Sequence, residues 1–371
     1  MNPTIKQLGA CGQSIWYDNI RRGMLVSGEM QALIDDGVVG VTSNPSIFQK
    51  AIGETHDYDD ALRALAEQGL DALSIYDALT IEDIRMTADL FQPVYDNTDG
   101  GDGFVSLEVN PTLAYDTDAT IAEARRLFAA VNRPNVMIKI PGTDQGLAAI
   151  RTAIGESINV NVTLIFSVSA YEQIMNAYLD GVDDLIAAGG DPSRVASVAS
   201  FFVSRVDTAV DKQLAARIAA GDTGASSLLG QAAVANSKIA YARYQTVFGG
   251  PRFAALKTRG ARAQRPLWAS TSTKNPDYRD TLYVDTLVGP DTVNTVPQVT
   301  LDAIRAGLTV KPTLTRDVDA ARDVIDKLQQ LGISMDQVTA DLRTAGVKAF
   351  ADAFAKLLDG VESKRRAIAA A

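Results

Sequence analysis

The chain has 371 residues of ordinary globular composition, 46% hydrophobic and 22% charged, with a net charge of -10 and a pI near 4.7. That acidity repels a phosphate backbone at long range and argues against nucleic acid as a partner. No run reaches the roughly 18 consecutive apolar residues of a membrane span, and the first twenty residues lack the apolar core of a secretory signal, so a soluble cytoplasmic protein is expected. The single cysteine, Cys11, excludes intrachain disulfides and fits a reducing compartment. The single histidine, His56, lies in the polar run Glu54-Thr55-His56-Asp57-Tyr58. Ser-His-Asp, Cys-His and multi-histidine zinc chemistries therefore lack their parts unless His56 is itself catalytic.

Short apolar runs alternate with longer helical stretches along nearly the whole chain, the pattern of βα units and a parallel sheet. The first run, Ser14 to Tyr17, ends in Asp18; the second, Val38 to Thr42, is followed by Asn44. Helical spacing then covers about 58–67 and 74–91. The stretch 96–103, rich in Asp and Gly, lacks the alternate carboxylates and closing glutamate of an EF-hand and reads as a turn. The third run, Phe104 to Val109, contains Glu108. The fourth, Val136 to Ile140, ends at Lys139-Ile140 before Pro141-Gly142. In the fifth, Val160 to Phe166, period-two geometry puts Asn161 and Thr163 on one face together. The sixth, Ala196 to Val203, leads into Ser204-Arg205 and a helical insertion from about 205 to 248. Its glycine-rich piece 221–227 is a linker, since no Gly-Lys-Ser/Thr accompanies it. The seventh, Leu267 to Ser270, precedes Thr271-Ser272-Thr273-Lys274, and the eighth is Thr292 to Val296. Helices at about 317–331 and 335–361 close the chain, with Val347, Phe350, Phe354, Leu357 and Leu358 on a face that should pack on the barrel. Eight runs favour closure: an α/β fold, a (β/α)8 TIM barrel forming one domain over 1–371, with a helical insertion after the sixth strand and a C-terminal helical tail to about 363.

Lys139 is the residue that needs a reason. It stands in a run of large aliphatic side chains, where a lysine is almost never found unless paired. Desolvation favours the neutral amine over the ammonium, and a neutral buried amine is a Schiff-base nucleophile toward a carbonyl. The plainer reading is an ion pair, for instance with Glu108, or a side chain that snorkels out of the strand end. Asp18 and Asn44 likewise have plain readings as helix caps. Taken together, polar groups at the ends of six consecutive strands would bury unsatisfied atoms unless something at the barrel mouth uses them, and in a parallel barrel the active site is built at those carboxyl ends.

The set Trp16-Tyr17-Asp18, Thr42-Ser43-Asn44-Pro45-Ser46, Ser106-Leu107-Glu108-Val109, Met137-Ile138-Lys139-Ile140-Pro141, Asn161-Val162-Thr163-Leu164-Ile165-Phe166-Ser167 and Ser200-Phe201-Phe202-Val203-Ser204-Arg205 resembles the transaldolase family, in order, over about 18–274. The resemblance implies a class I aldolase barrel of the pentose phosphate pathway that moves a dihydroxyacetone unit between phosphorylated sugars, without metal or cofactor. It implies Lys139 as the Schiff-base nucleophile, Asp18 as the base for carbon-carbon cleavage, and Glu108 with Thr163 as a proton shuttle through water. Asn44 and Asn161 would hold the hydroxyls of the three-carbon unit, and Ser200, Phe202 and Arg205 would complete the substrate site. Where many members carry a second arginine after the seventh strand, this chain aligns Lys274, with Ser270 and Ser272 as neighbours that could contribute. A fructose-6-phosphate or deoxyribose-phosphate aldolase is the nearest alternative, though relatives of the former are shorter and usually place a tyrosine at Glu108. A non-catalytic sugar-phosphate-binding barrel is the alternative from another class. Monomer and homodimer both stay open.

Overall fold

The computed structural model describes residues 1–369. Seven strands, β1 (Gln13–Tyr17), β2 (Val105–Glu108), β3 (Val136–Pro141), β4 (Val160–Ile165), β5 (Ser197–Phe202), β6 (Arg265–Ala269) and β7 (Thr292–Val296), form one curled sheet in the order β1-β7-β6-β5-β4-β3-β2. Every neighbouring pair is parallel. Strands β2, β3, β4, β5 and β7 are buried at every position, as parallel strands covered on one face by helices and filled on the other must be.

The second apolar run departs from expectation, because Val38 to Thr42 is not a regular strand. Val41 bridges Tyr17 of β1 on one side and Val105 of β2 on the other, and before it Val39 donates to the Ile15 carbonyl at 2.9 Å and accepts from the Gly103 amide at 2.7 Å. Around that bridge, Tyr17 donates its amide to the Gly40 carbonyl and Thr42 donates to the Tyr17 carbonyl, each at 2.9 Å, while Val41 donates to Phe104 and Ser106 donates to Val41. The segment is interrupted where Gly40 passes the Trp16 indole: a Cβ there would lie 2.6 Å from the ring. Glycine in a strand commonly marks such a close approach and weakens the ladder.

Below the amino ends of the strands, Asp102 ties β1 to β6. Its carboxylate accepts from the Ser14 hydroxyl at 2.7 Å and the Trp16 indole at 2.8 Å, and it pairs with Arg265 at 3.2 Å. The stretch 96–103 that the sequence showed as a turn thus carries, at Asp102, a clamp whose partners are far apart in the chain.

Helices fill the connections. Between β1 and β2 lie, among others, Pro45–Glu54, Asp59–Glu67 and the 26-residue Ala72–Asn97. After β5 come Ser204–Ala219, Ala232–Phe248 and Pro251–Lys257, and after β7 the chain ends in Val318–Gln330 and Met335–Ala369. The last of these is moored by aromatic edges and a charge: Phe354 meets Tyr76 edge-on at 5.3 Å, Tyr76 meets Phe48 at 6.4 Å, and Lys364 donates to the Ile52 carbonyl and pairs with Asp59. Among the described residues, no helix is long and apolar enough to cross a membrane.

Candidate active site

Strand β3 carries Lys139 to the carboxyl end of the sheet, with Met137 two residues earlier on the same face at the opposite end. Lys139 is 4% exposed and Glu108, beside it on β2 through the register Glu108 with Lys139, is 5% exposed. The amine donates to the Ser43 carbonyl at 3.1 Å and stands 3.7 Å from Glu108 Oε2. At that distance the Glu108 contact is electrostatic, and neither carboxylate oxygen has a hydrogen-bond partner. Burial pushes the Glu108 carboxyl up to about 7 against the pull of the lysine. An acid so placed exchanges protons near neutrality.

Thr163 on β4 is also fully buried with its hydroxyl unpartnered. The residue after it, Leu164, sits at φ +60°, where the β4–β5 register shifts. A leucine in the left-handed region is strained, and bulges of this kind cluster near active sites because they re-aim side chains. Asn161, on the same face as Thr163, donates to Ser106 Oγ at 3.0 Å and accepts from Ser200 Oγ at 2.7 Å. Strands β2, β4 and β5 are thereby joined on the inner face of the curled sheet.

In front of Lys139 opens a cavity of about 220 Å³. Asp18, Asn44, Ser200, Phe202, Arg205 and Lys274 all line it with Lys139. Glu108, Asn161 and Thr163 are not among its lining residues and stand behind that wall. Asp18, half-buried, accepts from Thr42 Oγ1 at 2.8 Å. Its pKa is raised: burial outweighs Lys139, the Thr42 hydrogen bond, Arg205 and Lys274, which all pull it down. Asn44 plays the plain role too, since its side-chain oxygen caps helix Pro45–Glu54 by accepting from the Ile47 amide at 3.1 Å.

Positive charge gathers at the far side. Arg205 lies in the first turn of helix Ser204–Ala219, which starts directly after β5. Its guanidinium is held over the Phe202 ring at 5.1 Å, and among the described residues it has no salt bridge to a carboxylate. A cation at the positive end of a helix dipole, without a counter-ion, calls for an anion. Lys274 donates to Ser272 Oγ at 2.7 Å, and Ser270 and Ser272 join it in the lining.

Sequence reasoning missed three contributors. Thr42 and Thr295 share a hydroxyl contact at 2.6 Å beside Asp18, and their polar type at a strand end was the available signal. Phe350 of the terminal helix also lines the cavity, its ring 5.9 Å from the Lys139 amine; at helical spacing it reads only as core. His56 is exposed on a surface turn, paired with Asp59. A larger cavity of about 590 Å³ opens at the amino ends of the strands, lined by Trp16, Phe104, Tyr244, Phe248 and Arg265 among others. It holds none of the strand-end polar residues, and in parallel barrels that face serves stability.

A buried lysine at the carboxyl end of a parallel strand, with carboxylates on neighbouring strands and a cationic pocket before it, defines an enzyme of the α/β type whose site opens at the strand ends. The chain belongs to the transaldolase/fructose-6-phosphate aldolase family, whose model matches residues 15–361. It is 49% identical over 371 residues to a transaldolase of Mycobacterium marinum, covering 99% of each chain. Similarity to transaldolases of Thermobifida fusca (50%, 97% of this chain and 98% of the relative) and Acidothermus cellulolyticus (51%, 97% and 96%) is of the same extent.

Proposed function

We propose that the chain is a transaldolase that moves a dihydroxyacetone unit from sedoheptulose 7-phosphate to glyceraldehyde 3-phosphate, giving erythrose 4-phosphate and fructose 6-phosphate in the pentose phosphate pathway. The observation that carries this reading is the Lys139 amine, dry beside Glu108 and open toward a cavity that ends in Arg205 and Lys274. The amine adds to the ketose carbonyl. Glu108, through a water held with Thr163, moves the protons that turn the carbinolamine into an iminium ion and water. Asp18 then takes the hydroxyl proton of the carbon next to the breaking bond, the aldose leaves, and the electron pair is held as an enamine on Lys139. The acceptor aldehyde enters, and the same steps run backward. Asn44 binds a hydroxyl of the waiting three-carbon unit, Asn161 acts from behind the wall by holding the Ser200 hydroxyl, and Ser200, Arg205 and Lys274 grip the phosphate while Phe202 supports the guanidinium. The chemistry requires neither metal nor cofactor.

The same reading treats the Val38 to Thr42 segment as the eighth stave of a closed (β/α)8 barrel, with residues 1–371 working as one domain in the cytoplasm. The half-buried lone Cys11 is compatible with a reducing compartment.

The test is acceptor dependence. Given fructose 6-phosphate and erythrose 4-phosphate, the enzyme should release glyceraldehyde 3-phosphate over many turnovers, whereas the donor alone should yield about one equivalent per site. Sustained release without the acceptor would assign a lyase of the fructose-6-phosphate aldolase kind, and no release at all would leave a sugar-phosphate-binding barrel.

A further inference from the structure

The terminal helix Met335–Ala369 lies more than 190 residues from Lys139 in sequence, yet it roofs the amine. Three residues at four-residue spacing share the contact. Gly346 faces the β4 bulge, where a Cβ would lie 2.9 Å from Leu164 Cδ2 and 3.7 Å from Arg205 Nη1, so only glycine lets the helix approach this closely. Phe350, 5% exposed, presents its ring to the Lys139 amine at 5.9 Å and lines the cavity. Phe354, one turn further, is locked edge-on against Tyr76. Phe350 is thus fixed from both sides, and the cavity's other lining residues come from strand ends, the loops after them or the starts of helices.

We propose that Phe350 is a specificity-determining residue: it keeps water from the lysine-bound three-carbon intermediate, so that the intermediate waits for an aldose. This rests on the Schiff-base reading above. After the first aldose leaves, protonation of the enamine carbon regenerates an electrophilic iminium ion. Water reaching it would bond through oxygen to the imine carbon and give up a proton; the carbon-nitrogen bond would then break, releasing dihydroxyacetone and the free amine. The aromatic ring occupies that approach, and its face also favours a positive nitrogen.

The experiment measures, for each enzyme, dihydroxyacetone released from fructose 6-phosphate alone divided by transfer to erythrose 4-phosphate. Partial unfolding lowers both products equally and leaves the ratio unmoved, so the readout separates water exclusion from a structural role. Phe350→Ala should raise the ratio about tenfold, Phe350→Leu should restore it toward wild type by keeping apolar bulk, and Gly346→Ala, which pushes the helix off Leu164, should shift it in the same direction as Phe350→Ala. An unchanged ratio in Phe350→Ala and Gly346→Ala, with borohydride still trapping the adduct on wild-type Lys139, would overturn the inference alone. Failure to trap any wild-type adduct would instead overturn the functional reading beneath it.

Discussion

Each polar side chain of the site is constrained by what its neighbours leave unpaired. Glu108 has lost water and gained only a lysine 3.7 Å away, which is why its carboxyl rises to about 7. Above that pH it has lost the proton that turns the carbinolamine hydroxyl into water. The account therefore predicts that kcat/KM falls on the alkaline side of about pH 7, and that Glu108→Gln lowers the rate by about 10²–10⁴ and removes this limb. A pH profile that keeps its limb in the variant would assign the proton transfer elsewhere. Arg205 is the converse case, a cation without a carboxylate partner among the described residues. Its charge-assisted grip is worth about 1.5–3 kcal/mol, so Arg205→Ala should raise KM for phosphorylated sugars about 10- to 100-fold with a smaller change in kcat. Equal KM values would remove the phosphate from that position. The polar residues at the strand ends could be read from the sequence because each interrupts an apolar run. Asn44 shows the limit: capping a helix and facing a cavity are not exclusive, and a local Asn-Pro-Ser pattern reveals only the first.

Elements differ in how much of their placement is local. Seven strands follow from apolar runs that end at Gly, Pro or a polar group, and their inner faces follow from period two. The segment at Val38 to Thr42 satisfies the same local rule and bonds both neighbours at Val39 and Val41, yet its ladder is irregular at Gly40, which packs on the Trp16 ring, a contact between neighbouring segments that no window on either one contains. If this segment is nonetheless a stave, overfilling that contact must be felt. Gly40→Ala should destabilise the fold by about 1–3 kcal/mol, read as a lowered urea midpoint at constant slope, and an unmoved midpoint would mean that the segment is loosely held. The bulge at Leu164 was likewise invisible, since nothing about a leucine announces a positive φ. The terminal helix was legible as a helix with an apolar face. That its Phe350 faces the Lys139 amine was not, because a core phenylalanine and a cavity-lining one share the same spacing.

At the scale of the whole molecule the two ends of the sheet divide the work. The amino ends are tied by Asp102, Arg265, Ser14 and Trp16, partners spread over 251 residues of chain, while the carboxyl ends gather the amine, the acids and the free cations. Charge follows the same division of labour: a net charge of -10 surrounds a pocket that is locally positive, so in the proposed reading anionic sugars are drawn by that pocket and not by the protein's overall field. The central claim concerns one covalent bond, and it is tested most directly by reducing the enzyme with borohydride in the presence of fructose 6-phosphate and mapping the product by mass spectrometry. The account predicts a reduced three-carbon adduct on Lys139 and none after Lys139→Ala; an adduct on another lysine, or none in the wild type, would contradict it.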